Sequence, residues 1–414
     1  MGNSSNSHRR PLVWYMAEGY SIRGGHEAHI LHYATELRHH GFDTKVIVPR
    51  ALPRESHLFM KLLSERGIAL ESLGDAIRYR SRAAFAVGLA PWRFRQRLRR
   101  ADADASRFRE FVSASFVRRA LLGKLAVDRP EIIHIFGRLR DDFWGLLPAE
   151  KCAFHHATEG RRDASWSEKE AAAFTNFAGR CARNFAPGSG VAANVRREFG
   201  IGREIMPVFT ICPDQAQFST AGQPNNHANE RRFGILCRMI REKGLEHILD
   251  ALRVYRDKHG SVSFLFAGAG PLQGRIEAYI KEHRMQGVTQ QRDFQSPVDV
   301  LRKLEVFVHP SVSDAMPMAV AEALMCGLPC IVSRVGGLPD LVRDGVEGFV
   351  VEPGDSEQIV ATMERFSMMP VKERLNFRER ARARYEEVCR PDRVASIVSD
   401  HYRQIIQKNT ACSI

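Results

Sequence analysis

The sequence predicts an α/β protein made of two doubly wound, Rossmann-like domains that face each other across a cleft. Three observations carry this. The chain has 414 residues, more than one hydrophobic core usually serves, so two domains are the default. Each half alternates short apolar runs with helical patterns, the order that builds a parallel sheet covered by helices. Between Ser219 and Glu230 the chain turns polar, with Gly222, Pro224 and three Asn, and this is the linker. The boundaries that follow are a disordered arm over 1–11, a first domain over 12–220, a second over 221–390, and a last helix over 391–408 that crosses back to the first domain.

In the first half, Leu12 to Met16 is an apolar run suited to a first strand. His26 to His40 reads as a helix with Ile30, Leu31, Ala34 and Leu37 on one face, ended by Gly41 as a C-cap. Thr44–Val48, Glu131–Phe136 and Cys152–His155 are further strands. Val191–Phe199 is helical and Ile205–Ile211 extended. The second half repeats the order. Phe233–Cys237 is a strand, Leu245–His259 a helix and Val262–Ala267 a strand. Gly268–Pro271 opens a further helix, and Val306–Val308 and Cys330–Val332 are buried strands. The last helix carries Val394, Ile397, Val398, Ile405 and Ile406 on one side.

Composition narrows the class. An apolar fraction of 44% is ordinary for a water-exposed protein, and no run of eighteen apolar residues occurs. Residues 1–11 are polar and lack the apolar stretch of a secretory signal. They resemble a myristoylation signal except that Asn6 stands where Ser or Thr is wanted. The eight cysteines are scattered without Cys-x-x-Cys or zinc spacing, which fits reduced thiols in the cytoplasm. The net charge of +13 is uneven. Residues 1–220 hold 34 Lys and Arg against 23 Asp and Glu, whereas 221–414 hold 27 against 25. A field of that sign attracts anions. Much of it lies in the Arg-rich stretch 78–119, interleaved with Trp92, Phe94, Phe108 and Phe111. That stretch reads either as a segment lying on an anionic membrane surface or as solvated helix faces. No motif supports nucleic-acid binding.

The strongest chemical signal is the run from His309 to Ala323, followed by Cys326-Gly327-Leu328-Pro329 and Gly336-Gly337-Leu338-Pro339-Asp340. Asp314 and Glu322 are separated by seven residues. Pro317 suits a helix's first turn, so Asp314 falls in the loop before it and Glu322 one to two turns inside. Free amides at a helix start attract anions, and ionised carboxylates grip neighbouring hydroxyls.

These residues resemble the E-x7-E segment of the retaining, GT-B-fold glycosyltransferases of family 4. Ser21–Glu27 is similar to the family's Gly-Gly-x-Glu loop, Arg238–Gly244 to its Arg…Glu-Lys-Gly element, and Gly268–Pro271 to its Gly-x-Gly-Pro turn. The resemblance covers about residues 12–408. It implies a hexosyltransferase that moves a sugar with retention from a UDP- or GDP-sugar to a glycan or lipid-linked glycan, in cell-surface polysaccharide or glycolipid synthesis. It implies that Arg238 and Lys243 neutralise the donor diphosphate and that Glu322 holds the ribose. Asp314 would face the transferred sugar. Donor contacts are implied at Gly24, Gly25, Gly268, Phe294, Ala315, Met316, Pro317, Met318, Gly336 and Gly337. The family's catalytic His corresponds to His155 or His156. The enzyme would be cytoplasmic, peripheral on the inner face of the plasma membrane.

No metal or cofactor is expected, since Asp141-Asp142 is not an Asp-x-Asp metal motif. This chain departs from the family pattern at Asp314 and Asp340, each usually Glu, at Ala315, and at 211–214, where only Asp214 is kept. Plainer readings stand beside these. Asp314 can serve as an N-cap, Gly24-Gly25 as a turn, and the histidines as hydrogen-bonded strand ends. Two other functions fit the same fold, a nucleotide-sugar epimerase and a non-catalytic scaffold.

Overall fold

The computed structural model describes residues 9–17, 25–49, 57–73, 117–139, 141–156, 160–162, 166–202, 204–209, 232–292 and 296–412. Two parallel sheets organise them. The first has seven strands in the order β3-β2-β1-β4-β5-β6-β7. They are β1 Leu12–Met16, β2 Asp43–Val48, β3 Ala69–Ser72, β4 Ile132–Phe136, β5 Cys152–His155, β6 Arg183–Ala186 and β7 Ile205–Pro207. The second has six, β10-β9-β8-β11-β12-β13. They are β8 Arg232–Leu236, β9 Ser263–Ala267, β10 Val288–Gln291, β11 Val306–His309, β12 Cys330–Ser333 and β13 Gly348–Val351. Each sheet runs outward from its first strand in both directions, the doubly wound order. The protein is α/β with the GT-B architecture of two Rossmann-like domains.

Strands paired on both edges and covered on both faces must be apolar throughout. β4 is Ile-Ile-His-Ile-Phe and is buried at all five positions. Its one polar member, His134, bonds through Nδ1 to the hydroxyl of Tyr402 and stacks on Phe136 at 4.4 Å. The helix Gly25–His39 turns Ile30, Leu31, Ala34 and Leu37 into the first core. It gives way to Gly41 at φ 89°.

Several elements escaped the sequence reading: β3, β6, β10 and β13, and the helices Glu168–Arg180, Ser356–Met368 and Val371–Val388. Of the segment 205–211 the structure describes residues 205–209, and Ile205–Pro207 form the strand.

The last helix, Pro391–Ala411, packs on the first domain. Val394, Val398, Tyr402 and Ile405 enter the same core as Tyr33, Leu37 and Phe42. Ile397, expected on that face, points to solvent instead. Asn409 and Arg403 tie the helix down by donating to the carbonyls of Glu150 and His40, each at 3.0 Å. No described helix is long and apolar enough to cross a membrane.

Candidate active site

The second sheet reverses its strand order between β8 and β11, which lie side by side with Val306 opposite Phe233. The crevice beyond the C-terminal ends of strands at such a reversal is where doubly wound folds bind ligands. β8 leads into Cys237 and Arg238 and then a 3-10 turn, Arg241–Lys243, closed by Gly244. β11 ends at His309 and leads through Asp314 to the helix Met318–Met325.

Backbone contacts fix these two loops to each other. The Glu242 carbonyl accepts from the amides of Val312 at 2.9 Å and Ser313 at 3.3 Å. Gly244, at φ 68°, lies against the Pro310 carbonyl, where a Cβ would collide. The Gly268–Pro271 turn braces the other side. The Met239 amide donates to Ala269 at 2.9 Å, and Gly268, at φ 125°, leaves no room for a Cβ beside the Cys237 carbonyl. Backbone packing therefore accounts for Gly268 without a ligand.

The outcome is a compact charge cluster. Asp314 Oδ2 accepts from Lys243 Nζ at 2.5 Å, His309 Nε2 at 3.0 Å and Ser311 Oγ at 3.1 Å. Its Oδ1 accepts from the Ala315 amide at 3.1 Å. Burial works against the Asp314 charge, but the His309 hydrogen bond and the Lys243 ammonium outweigh it and hold the carboxyl well below the usual range. Desolvation lowers the His309 pKa despite Asp314. The ammonium paired with Asp314 is that of Lys243. The family resemblance has Asp314 facing the transferred sugar, near its hydroxyls or the reacting phosphate. The structure commits both of its oxygens inside the protein, where they aim Lys243. His309 and Ser311, which complete this cluster, belong to the same motif as Asp314, and nothing in their spacing marks them as its partners.

Arg238 is exposed and has no ion pair among the described residues. Desolvation pushes the half-buried Cys237 thiol up to about 12, against the pull of Lys243 and Arg238.

Glu322 sits one turn inside the helix Met318–Met325, 7% exposed. Its carboxyl has no hydrogen-bond or ion-pair partner among the described residues. Burial pushes its pKa up to about 7. Pro317 is the N-cap rather than a first-turn residue, and no side chain caps the amides that follow it. Ala315 rests against the first domain's core and Met316 is buried in the second's. The Gly336-Gly337 turn follows β12, but the Gly337 amide donates to the Ala315 carbonyl at 2.6 Å and so is not free for an anion.

The two histidines lie at the end of β5 and just beyond it. His155 ends β5 with its ring stacked 4.9 Å from Phe136, and His156 lies on the opposite face between Phe154 and Phe174. Both are buried, 3% and 4% exposed. His156 takes up the Asn184 amide oxygen at 3.3 Å, and burial drives its pKa down to about 3. Rings held this way serve the first domain's core. Gly25 begins the helix Gly25–His39. Gly24, Phe294, the 211–214 loop and most of the Arg-rich stretch lie outside the described residues, as do the side chains of Asp141 and Asp142.

Residues 219–384 match the family model described as glycosyl transferases group 1. The chain resembles the group 1 glycosyl transferases. WcaL of Escherichia coli (strain K12), named for colanic acid biosynthesis, is 25% identical over 209 residues, covering 48% of this chain and 51% of that protein. The amylovoran biosynthesis glycosyltransferase AmsK of Erwinia amylovora is 26% identical over 141 residues, 32% of this chain and 35% of AmsK. The chain thus matches about half the length, or less, of these curated relatives. Solved structures match throughout. A glycosyltransferase from Rickettsia africae ESF-5 superimposes with a TM-score of 0.72 at 13% identity, covering 96% of this chain and 99% of its own. Anabaena Alr3699/HepE, solved in complex with UDP, gives 0.67 at 15% identity, covering 95% and 100%.

Proposed function

We propose that this protein is a retaining hexosyltransferase that takes its sugar from a UDP- or GDP-sugar and delivers it to a glycan or lipid-linked glycan in cell-surface polysaccharide synthesis. One observation carries the reading. Glu322 is a buried carboxyl without a partner among the described residues, on the helix just beyond the Lys243–Asp314 pair, at the strand reversal of the second sheet. A buried carboxyl left unpaired is costly, and neighbouring ribose hydroxyls would satisfy it. Arg238 and Lys243 supply the positive charge that a departing nucleoside diphosphate needs. The C1–O bond to the diphosphate breaks, a C1–O bond to the acceptor forms on the same face, and the acceptor proton passes to the leaving phosphate. Asp314, with both oxygens engaged, is not offered as a covalent nucleophile.

In this reading the 221–390 domain holds the donor and the 12–220 domain holds the acceptor, with Gly24 and Gly25 approaching the diphosphate. Colanic acid and amylovoran are the products in whose synthesis the relatives are named, which favours a polysaccharide acceptor. The cationic loops serve where a divalent metal would otherwise be needed, so activity is expected to survive EDTA. The enzyme works at the cytoplasmic face of the membrane. The helix over residues 117–128, the described end of the Arg-rich region, supports this by leaving Arg118, Arg119 and Leu122 exposed.

A thermal-shift screen against nucleoside diphosphates and their sugars is the first test, since a ligand well above its Kd raises stability by several kcal/mol. Stabilisation by UDP or GDP that is lost in Glu322→Ala supports the reading. No response to any nucleoside diphosphate rejects it.

A further inference from the structure

The two domains touch through a contact that the donor site alone does not explain. Gly188 and Ser189 precede and open the helix Ser189–Phe199 of the first domain, and no side chain among the described residues of that domain caps it. The cap comes from the second domain. Asp340 Oδ2 accepts the Ser189 amide and Oδ1 accepts the Ser189 hydroxyl at 2.7 Å. A carboxylate at a helix start is favoured by both the free amides and the helix dipole.

The backbones on either side are pressed together. A Cβ on Gly188 would lie 2.5 Å from Gly337 Cα and 2.6 Å from Asp340 Oδ2. A Cβ on Gly190 would strike the Gly336 carbonyl, and one on Gly337 the Pro187 carbonyl. Only side-chain-free positions on both surfaces allow this approach. Arg384 holds the Asp340 end by donating to its backbone carbonyl at 2.5 Å and to that of Leu341 at 3.3 Å.

The contact reaches the charge cluster through the glycine turn. The Gly337 amide donates to Ala315, whose own amide donates to Asp314. Asp314 in turn aims Lys243.

We propose that Ser189 and Asp340 form a clasp that closes the cleft and, through the Gly336-Gly337 turn, sets the Asp314–Lys243 pair for reaction. They are positioning residues, not groups that touch substrate. The inference rests on the transferase reading only for its kinetic arm. The clasp itself is a statement about how the domains are held.

The test uses the full chain as Asp340→Ala, Ser189→Ala and the double variant. Small-angle scattering reads domain separation, calorimetry reads UDP and GDP binding, and steady-state kinetics reads turnover where a donor and acceptor are in hand. Losing a charge-assisted hydrogen bond is expected to shift the closing equilibrium roughly tenfold or more toward open. The radius of gyration should rise in both single variants. Turnover should fall roughly tenfold with nucleotide Kd changed by less than about threefold, and the double variant should be no worse than Asp340→Ala. Melting temperatures near that of the parent chain exclude misfolding as the cause. Scattering curves that superimpose on the parent's overturn the clasp, whatever the kinetics show. An opened variant with unchanged turnover overturns its role in setting the pair. Nucleotide binding that fails in the parent chain as well rejects the transferase reading and leaves the scattering result to judge the clasp.

Discussion

Glu322 sets stability against ligand binding at a single carboxyl. In the unfolded chain it ionises near the ordinary 4.5, and in the folded chain near 7. The folded protein therefore keeps a proton that the unfolded chain has released, and stability falls as pH rises through that window. A Gln there has nothing to ionise. Glu322→Gln is expected to be up to about 3 kcal/mol more stable than the parent near pH 8, with little difference below about pH 4.5. Urea titrations at the two pH values check this. The same variant should lose nucleotide binding, a trade common where a site keeps a strained group. Asp314 behaves oppositely. Its depressed pKa gives stability that is present above about pH 4 and lost as the pH falls further. Lys243→Met strands that carboxylate and is expected to cost roughly 3–5 kcal/mol in urea unfolding. Adding Asp314→Asn should recover most of the loss, because a neutral amide needs no countercharge. Both acids were legible as a spaced pair in the sequence. Their different surroundings were not, since those depend on His309 and Ser311 closing round one of them at the end of β11.

At the scale of elements, the loops that carry the cations are set by backbone fit more than by side chains. Gly268→Ala places a Cβ against the Cys237 carbonyl in a region of φ that L-residues avoid. The expected loss is about 2 kcal/mol or more, read from the urea midpoint, together with weaker nucleotide binding as the Arg238 loop shifts. Long periodic helices such as Leu245–His259 were readable to the residue because their apolar spacing is sustained and Gly244 and Gly260 bracket them. β6, Arg-Asn-Phe-Ala, was not, because four residues with two polar side chains carry no alternation. Asn184 in that strand is fully buried and satisfied by His156 and by the Ala178 carbonyl, a pairing that only the assembled sheet supplies. The helix Val371–Val388 was missed for a related reason. Most of its positions are charged, and only Phe377, Ala381, Arg384 and Tyr385 are fully buried.

For the whole molecule, the doubly wound order was readable because alternating strands and helices leave few topologies open. The contact between Ser189 and Asp340 was not, because the two residues are 151 apart in sequence and meet only when both domains are placed. The last helix adds a long-range dependence of its own. Tyr402 is fully buried, bonded to His134 and set edge-on to Phe42 at 5.6 Å. Tyr402→Ala is expected to destabilise the protein by roughly 3–5 kcal/mol. Hydrogen exchange should show the loss in β1, β4 and the helix Gly25–His39, and not in the second sheet.

That dependence has a consequence for how the protein is made. The first domain's core is completed by residues 391–411, so on the ribosome its seven strands emerge long before the segment that seals them. At roughly 5–20 residues per second, the intervening second domain takes on the order of 10–40 seconds to synthesise. Throughout that interval Tyr33, Leu37 and Phe42 wait under an open groove. A nascent chain stalled before residue 391 should bind a holdase chaperone through that groove, and adding the last helix in trans as a peptide should release it.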